Sequence, residues 1–253
     1  MKRRVLIYSL ICLYSLLWGG GVSAHFFWQR TPPGAQWTAP AFLACAAALV
    51  LLGTSSGRLW LAAAGGGGFL AEVGGVQVAL LFGPYSYSGV LQPQLAGVPV
   101  VMACAWVILL AYVKNRLALL EMNQWVAVVA GAVWMTAIDL LIDPVATLGL
   151  GYWVWHAPGP YYGVPFSNFT GWLVVSAVLL AAGWNVRVEG PGPRWVGLSV
   201  IVFFGLLAAA HRLWWPAAVA CALCGWDAWL ARSRREGPPE CPAETGTAEK
   251  SET

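Results

Sequence analysis

The chain has 253 residues, of which 59% are hydrophobic and only 10% charged. A soluble domain carries roughly 25% charged residues, so there is too little polar surface here to coat a soluble globule, and an ordinary cytosolic enzyme is excluded. The formal net charge of +3 comes from small clusters rather than one basic face, which leaves no footprint for nucleic acid.

A helix that crosses a bilayer core needs about 20 apolar residues. Apolar runs near that length predict an all-α, polytopic integral membrane protein with about eight transmembrane helices, at residues 5–24, 39–52, 59–82, 98–113, 125–142, 169–184, 195–210 and 214–230. The second run is short, and a tight turn parts the last two. Lys2, Arg3 and Arg4 ahead of an apolar run ending in Val22-Ser23-Ala24 also fit a cleavable signal. The run is long for such a signal, so a retained helix is expected; cleavage would leave seven. Trp60, Trp125, Trp184, Trp195 and Trp214 fall near the span ends, where interfacial aromatics belong.

Orientation follows from Lys and Arg. The N-terminal cluster, Arg58, Lys114 with Arg116, Arg187 with Arg194, and Arg232 to Arg235 occupy alternate connections. An even number of spans puts them all on one side, opposite Arg30 and Arg212. The positive-inside rule then predicts a multi-pass protein of the cell membrane with both termini cytoplasmic. Residues 1–235 read as the transmembrane domain. Residues 236–253, rich in Glu, Pro, Thr and Ser, read as a disordered cytoplasmic tail.

Cofactor chemistry finds little support. Cys12, Cys45, Cys104, Cys221 and Cys224 lie in apolar stretches and read as small hydrophobes. Cys221 and Cys224 have no second pair or His nearby, so no zinc site is expected. No other spacing resembles a metal site, and no Gly-rich phosphate loop is present. His25 and His211 sit at span ends, and His156 lies in an aromatic loop.

Two connections depart from the usual loop composition. Residues 83–97 and 143–168 contain no Lys or Arg, and Asp143 is their single acid. Both are rich in aromatics, Gly and Pro, and both fall on the non-cytoplasmic side. Irregular backbone of this kind is tolerated at membrane depth where it lines a cavity buried in protein. The two regions also resemble each other. Glu72, Tyr85-Ser86-Tyr87, Gly97-Val98-Pro99 and Trp106 correspond in order to Asp139, Trp153-Val154-Trp155, Gly163-Val164-Pro165 and Trp172. This suggests a parallel internal repeat, with the two acids on a shared cavity, as substrate sites lie between repeats in some transporters.

Ionisable groups within spans are costly and are functional candidates by default. Glu72 lies about 18 Å along its helix from Trp60, and Asp139 about 21 Å from Trp125, at 1.5 Å per residue. Asp143 follows four residues after Asp139 and shares its face. A protonated carboxyl in an apolar pocket serves as a general acid. The plainer alternative is that these acids hydrogen-bond Tyr, Trp or Asn and fix packing, and Asp143 before Pro144 also suits a helix end. Tyr152, Trp153, Trp155, Tyr161 and Tyr162 read as a pocket wall whose π faces suit a cationic intermediate; the alternative is an interfacial belt.

These residues carry a family resemblance. Glu72-x-x-Gly75, Phe82-Gly83-x-Tyr85-x-Tyr87 and Leu95-x-Gly97-Val98-Pro99 resemble the first signature of the membrane carotenoid biosynthesis proteins. Asp139-x-x-x-Asp143-Pro144-x-Ala146, Gly151-x-Trp153-x-Trp155 and Tyr161-Tyr162-Gly163-Val164-Pro165-x-Ser167-Asn168-Phe169-x-Gly171-Trp172 resemble the second. The signatures fall at 72–106 and 139–172. His156 departs from the pattern, where an acid is expected. The resemblance implies a carotenoid hydratase of the bisanhydrobacterioruberin hydratase or γ-carotene 1′-hydroxylase type. Such an enzyme adds water to the terminal 1,2 double bond of an acyclic ψ end group and needs no redox cofactor. Glu72 or Asp139 is then expected as the acid, and Asp143 or Asp139 to orient water. Tyr85, Tyr87, Trp153, Trp155, Tyr161, Tyr162, Asn168 and Trp172 are expected around the substrate. The implied partners are an acyclic or monocyclic carotenoid from the bilayer, water, lipid, and other carotenoid enzymes such as a glycosyltransferase. A lycopene cyclase-like isomerase, a transporter and a non-catalytic membrane partner are the alternatives.

Overall fold

The computed structural model describes residues 2–233. The tail at 236–253, with Arg234, Arg235 and Cys241, lies outside the described residues. Eight α-helices appear among the described residues: α1 (Lys2–Trp28), α2 (Thr38–Gly53), α3 (Arg58–Val78), α4 (Met102–Leu117), α5 (Gln124–Pro144), α6 (Phe166–Ala182), α7 (Pro191–Ala210) and α8 (Trp214–Ser233). By length and composition four of them are able to cross a membrane, namely α1, α3, α5 with its extension to Gly149, and α7; α2 and α6 are apolar but shorter. The chain is an all-α membrane protein.

Each apolar run holds a helix, and two of the displaced boundaries bear on the site. The third stops at Val78 rather than 82, because Ala79 takes the left-handed conformation (φ 52°) and its N–H returns to Gly74 O. The fourth begins at Met102 rather than 98. Val98–Pro99 (β3) instead pairs with Gln94–Leu95 (β2) in a short hairpin. The α5 start is set by Asn123, whose side chain accepts from Val126 N at 3.0 Å, a capping contact. Pro191 opens α7, where its missing N–H leaves no helical bond unmade.

The connections gather most of the described basic residues at one end of the bundle. Arg3 donates to Leu52 O, Ser56 to Arg187 O, Lys114 to Gly183 O and Asn115 to Val188 O. Just inside that end, Asp227 of α8 is buried between Arg116 of α4 (2.9 Å) and Arg194 of α7 (2.9 Å). At the opposite end His25 Nδ1 and His211 Nε2 lie 2.9 Å apart, joining α1 to α7.

Helix α3 packs mainly on α4, and α5 mainly on α6. These two hairpins contain the two signatures. The close approach of α3 and α4 requires glycine, since a Cβ on Gly68 would stand 2.2 Å from Trp106 Cγ. Between the hairpins, Tyr85–Tyr87 (β1) pairs antiparallel with Trp153–Trp155 (β4), matching Tyr85 to Trp155, Ser86 to Val154 and Tyr87 to Trp153. Trp106 and Trp172 stack with centroids 4.4 Å apart and planes 14° apart. Ser86 and Val154, and Trp106 and Trp172, thus meet their counterparts in the other half, while Tyr85 and Tyr87 pair crosswise with Trp155 and Trp153.

Candidate active site

Glu72, Asp139 and Asp143 are all buried, although they come from two helices, α3 and α5. Each draws its donors from the strand or helix that follows it. Glu72 Oε2 accepts from Tyr85 Oη at 2.5 Å and Tyr87 Oη at 2.9 Å, and its Oε1 accepts from Trp106 Nε1 at 3.3 Å. Asp143 Oδ1 accepts from Trp153 Nε1 at 3.0 Å and Trp155 Nε1 at 3.1 Å. Asn168 Nδ2 donates to both aspartates, at 2.6 Å to Asp139 Oδ2 and 2.7 Å to Asp143 Oδ2. Sequence comparison of the halves matches Glu72 with Asp139. In the structure, the carboxylate that receives the second aromatic pair is Asp143.

The alternation of a strand explains this geometry. Residues two apart point to the same face, so the aromatic-x-aromatic step aims two donors at one carboxylate. Pairing β1 with β4 then brings the two donor sets into contact: the ring centroids of Tyr85 and Trp155 lie 4.9 Å apart at a tilt, and those of Tyr87 and Trp153 5.6 Å apart edge-on. The three carboxyl groups surround a cavity of about 20 Å³ that is also lined by these four aromatics, Asn168 and Trp172. Such a volume holds roughly one water molecule. No Lys, Arg or His lines it. The carboxyl groups therefore meet neutral donors and aromatic faces, with no cation beside them.

Tyr161 and Tyr162 lie elsewhere. Tyr161 donates to Leu140 O at 2.9 Å, and Tyr162 Oη accepts from Trp215 N at 3.4 Å on α8. Burial pushes the Tyr161 hydroxyl up to about 12, so it remains a donor at neutral pH. His156 is exposed, with its backbone N–H on Pro84 O. Phe82 and Met102 line the cavity, and Trp106 binds Glu72, yet none of the three was singled out for the site by sequence. For Trp106 a signal existed, since it occupies the position in the first half that Trp172 occupies in the second. Among the described residues, no group of three or more His, Cys, Asp or Glu side chains is placed to hold a metal ion.

The bisanhydrobacterioruberin hydratase of Haloarcula japonica is 29% identical over 116 residues, which is 42% of this chain and 38% of the relative. The match thus covers well under half of the relative's length. No solved structure matches the chain. The family described as carotenoid biosynthesis protein matches residues 35–226, a stretch that contains both hairpins and the three carboxyl groups of the cavity, and the chain belongs to that family.

Proposed function

We propose that the protein is a carotenoid hydratase, which adds water to the terminal 1,2 (or 1′,2′) double bond of an acyclic ψ end group and yields a tertiary alcohol. The observation that carries this reading is the water-sized cavity lined by three carboxyl groups and aromatic faces, with no basic side chain on its wall. The family, and the hydratase name of the Haloarcula relative, support the choice of substrate class.

The steps balance without a redox partner. A carboxylic acid gives its proton to C2 of the trisubstituted alkene, and positive charge develops at tertiary C1. Asp139 fits the donor role, because a single donor, Asn168, points at it, whereas three N–H or O–H groups point at Glu72 and three at Asp143. The π faces of Tyr85, Tyr87, Trp153 and Trp155 and the carboxylates of Glu72 and Asp143 stabilise the cation. The cavity water attacks C1, its proton passes to Asp143, and return of a proton to Asp139 resets the site. The polyene enters laterally from the bilayer. With the basic end of the bundle cytoplasmic, the site lies in the non-cytoplasmic half.

Expression in a lycopene-producing host, followed by mass analysis of the pigments, tests the reading. Hydration adds the mass of one water per reacting end; cyclisation adds none, so mass gain also separates a hydratase from a cyclase. Unmodified pigment there, and in hosts making longer or monocyclic carotenoids, would overturn the proposal.

A further inference from the structure

A cavity with room for about one water has no room for the terminus of a carotenoid. Something must move before substrate reaches the carboxyl groups, and the structure marks which group. Phe82 is buried and lines the cavity. Its ring is wedged between the two hairpins at the seam of α3 and α6. A Cβ on Gly75 of α3 would stand 2.8 Å from Phe82 Cδ2, and one on Gly171 of α6 would stand 2.6 Å from Phe82 Cδ1. Each glycine thus leaves the slot that one edge of the ring occupies.

The backbone that holds this ring is strained. Phe82 N–H closes a three-residue turn onto Leu80 O at 2.9 Å, with Leu81 at φ 71°. This is the strained hand of the γ-turn. Ala79, at φ 52°, is a second residue in the left-handed region. Such strain persists where surrounding contacts hold it, and clusters at ligand clamps and switches. Here the holding contacts are Ser167 Oγ, which donates to Phe82 O at 3.0 Å, the edge-on ring of Tyr85, and the close backbones of Gly75 and Gly171. Val78, Leu80 and Leu81, which surround the turn, are exposed and apolar. In a membrane these side chains face the acyl chains from which a polyene arrives.

The geometry points to Phe82 as the substrate gate: its ring occupies the place of the carotenoid end group and swings away from the α3–α6 seam when the polyene enters. A prenyl terminus is smaller than the benzyl group it displaces, so the vacated slot accommodates it beside Glu72 and Asp139. The role rests on the carotenoid reading of the site, since it assigns the slot to that substrate. The gate also sets specificity, because a bulkier end group would clash with Gly75 and Gly171 even after the ring has left.

The test is a binding titration with lycopene in lipid nanodiscs, read by energy-transfer quenching of tryptophan fluorescence and thus independent of turnover. A closed gate weakens apparent affinity by the fraction of protein that is open, so Phe82→Leu and Phe82→Ala should lower Kd at least about threefold, and Phe82→Trp should raise it. Phe82→Leu keeps most of the apolar volume and guards against misfolding in the alanine variant. A Kd for Phe82→Leu equal to or weaker than the parent's, in protein of unchanged Tm, overturns the gate. Tighter binding without mass gain of water in the parent or any variant would instead overturn the hydratase reading and leave the gate standing.

Discussion

Tyr161 donates its hydroxyl to the carbonyl of Leu140 at 2.9 Å, and Leu140 is the residue whose helical partner would be the N–H of position 144. Proline stands there and has no N–H. Pro144 therefore frees an acceptor in the turn that carries Asp139 and Asp143, and Tyr161 fills it from across the aromatic loop. Past Pro144 the helix widens into a π-turn at Val145–Gly149, with Leu150 N–H on Val145 O. Bulges of this kind recur at functional sites, and this one carries the chain from the aspartates to β4.

Tyr161→Phe leaves the Leu140 carbonyl unpaired in an apolar setting. Stability should fall by about 1–3 kcal/mol, seen as a lower Tm in detergent. The carboxyl groups keep their own donors, so hydration in the pigment assay should persist in the folded protein. An unchanged Tm together with lost product would instead make Tyr161 a substrate contact.

The scarcity of charge made much of this legible. Within an apolar chain every acid in a span stands out, and Glu72, Asp139 and Asp143 do meet at one cavity. The aromatic-x-aromatic steps stood out as a repeated pattern, but in the sequence they read as irregular loops, and only the pairing of β1 with β4 shows the strand alternation that turns both rings one way. Other features required the third dimension. Phe82 closes an apolar run and stands in the first signature, but its place at the cavity follows only from the turn that Ala79 and Leu81 make. Tyr161 and Tyr162 share their loop and composition with the wall aromatics, and only the positions of Leu140 and Trp215 separate them from it. The buried partners of Asp227 lie on helices far apart in sequence, so its place at the basic end disclosed nothing of its pairing.

Asn168 holds Asp139 and Asp143 with one nitrogen, which fixes the spacing of two like groups. Hydrogen bonds to charged groups contribute about 1.5–3 kcal/mol, and each 1.4 kcal/mol is tenfold. Asn168→Ala should therefore lower the hydration rate by about 10- to 100-fold while the protein still purifies from membranes. Full activity in that variant would show that the aspartates are positioned without it.

Asp227 has its two oxygens divided between Arg116 and Arg194, and both Asp227 and Arg116 are buried. Removing one partner of a buried pair typically costs 3–5 kcal/mol, because the other charge is left without compensation. Asp227→Asn should lower the Tm in detergent sharply, and Arg194→Ala should do so less, since Arg116 keeps its carboxylate. Equal losses would mean that Arg194 carries the cluster and that Arg116 adds little.

Asp139 and Glu72 should separate by substitution. Asp139→Asn removes the transferable proton but keeps an oxygen to accept from Asn168, so product should be lost by about 10²- to 10⁴-fold, the usual worth of a general acid. Asp139→Glu retains an acid and should recover part of the yield. Glu72→Gln abolishes hydration by a different route. Its amide presents a donor where Tyr85, Tyr87 and Trp106 all donate, so the wall must rearrange and the negative charge facing C1 is gone. Pigment mass analysis on membranes with matched protein levels reads all three. Near-parental turnover by Asp139→Asn would transfer the acid role to Glu72 or Asp143, whereas turnover by Glu72→Gln would reduce that residue to packing.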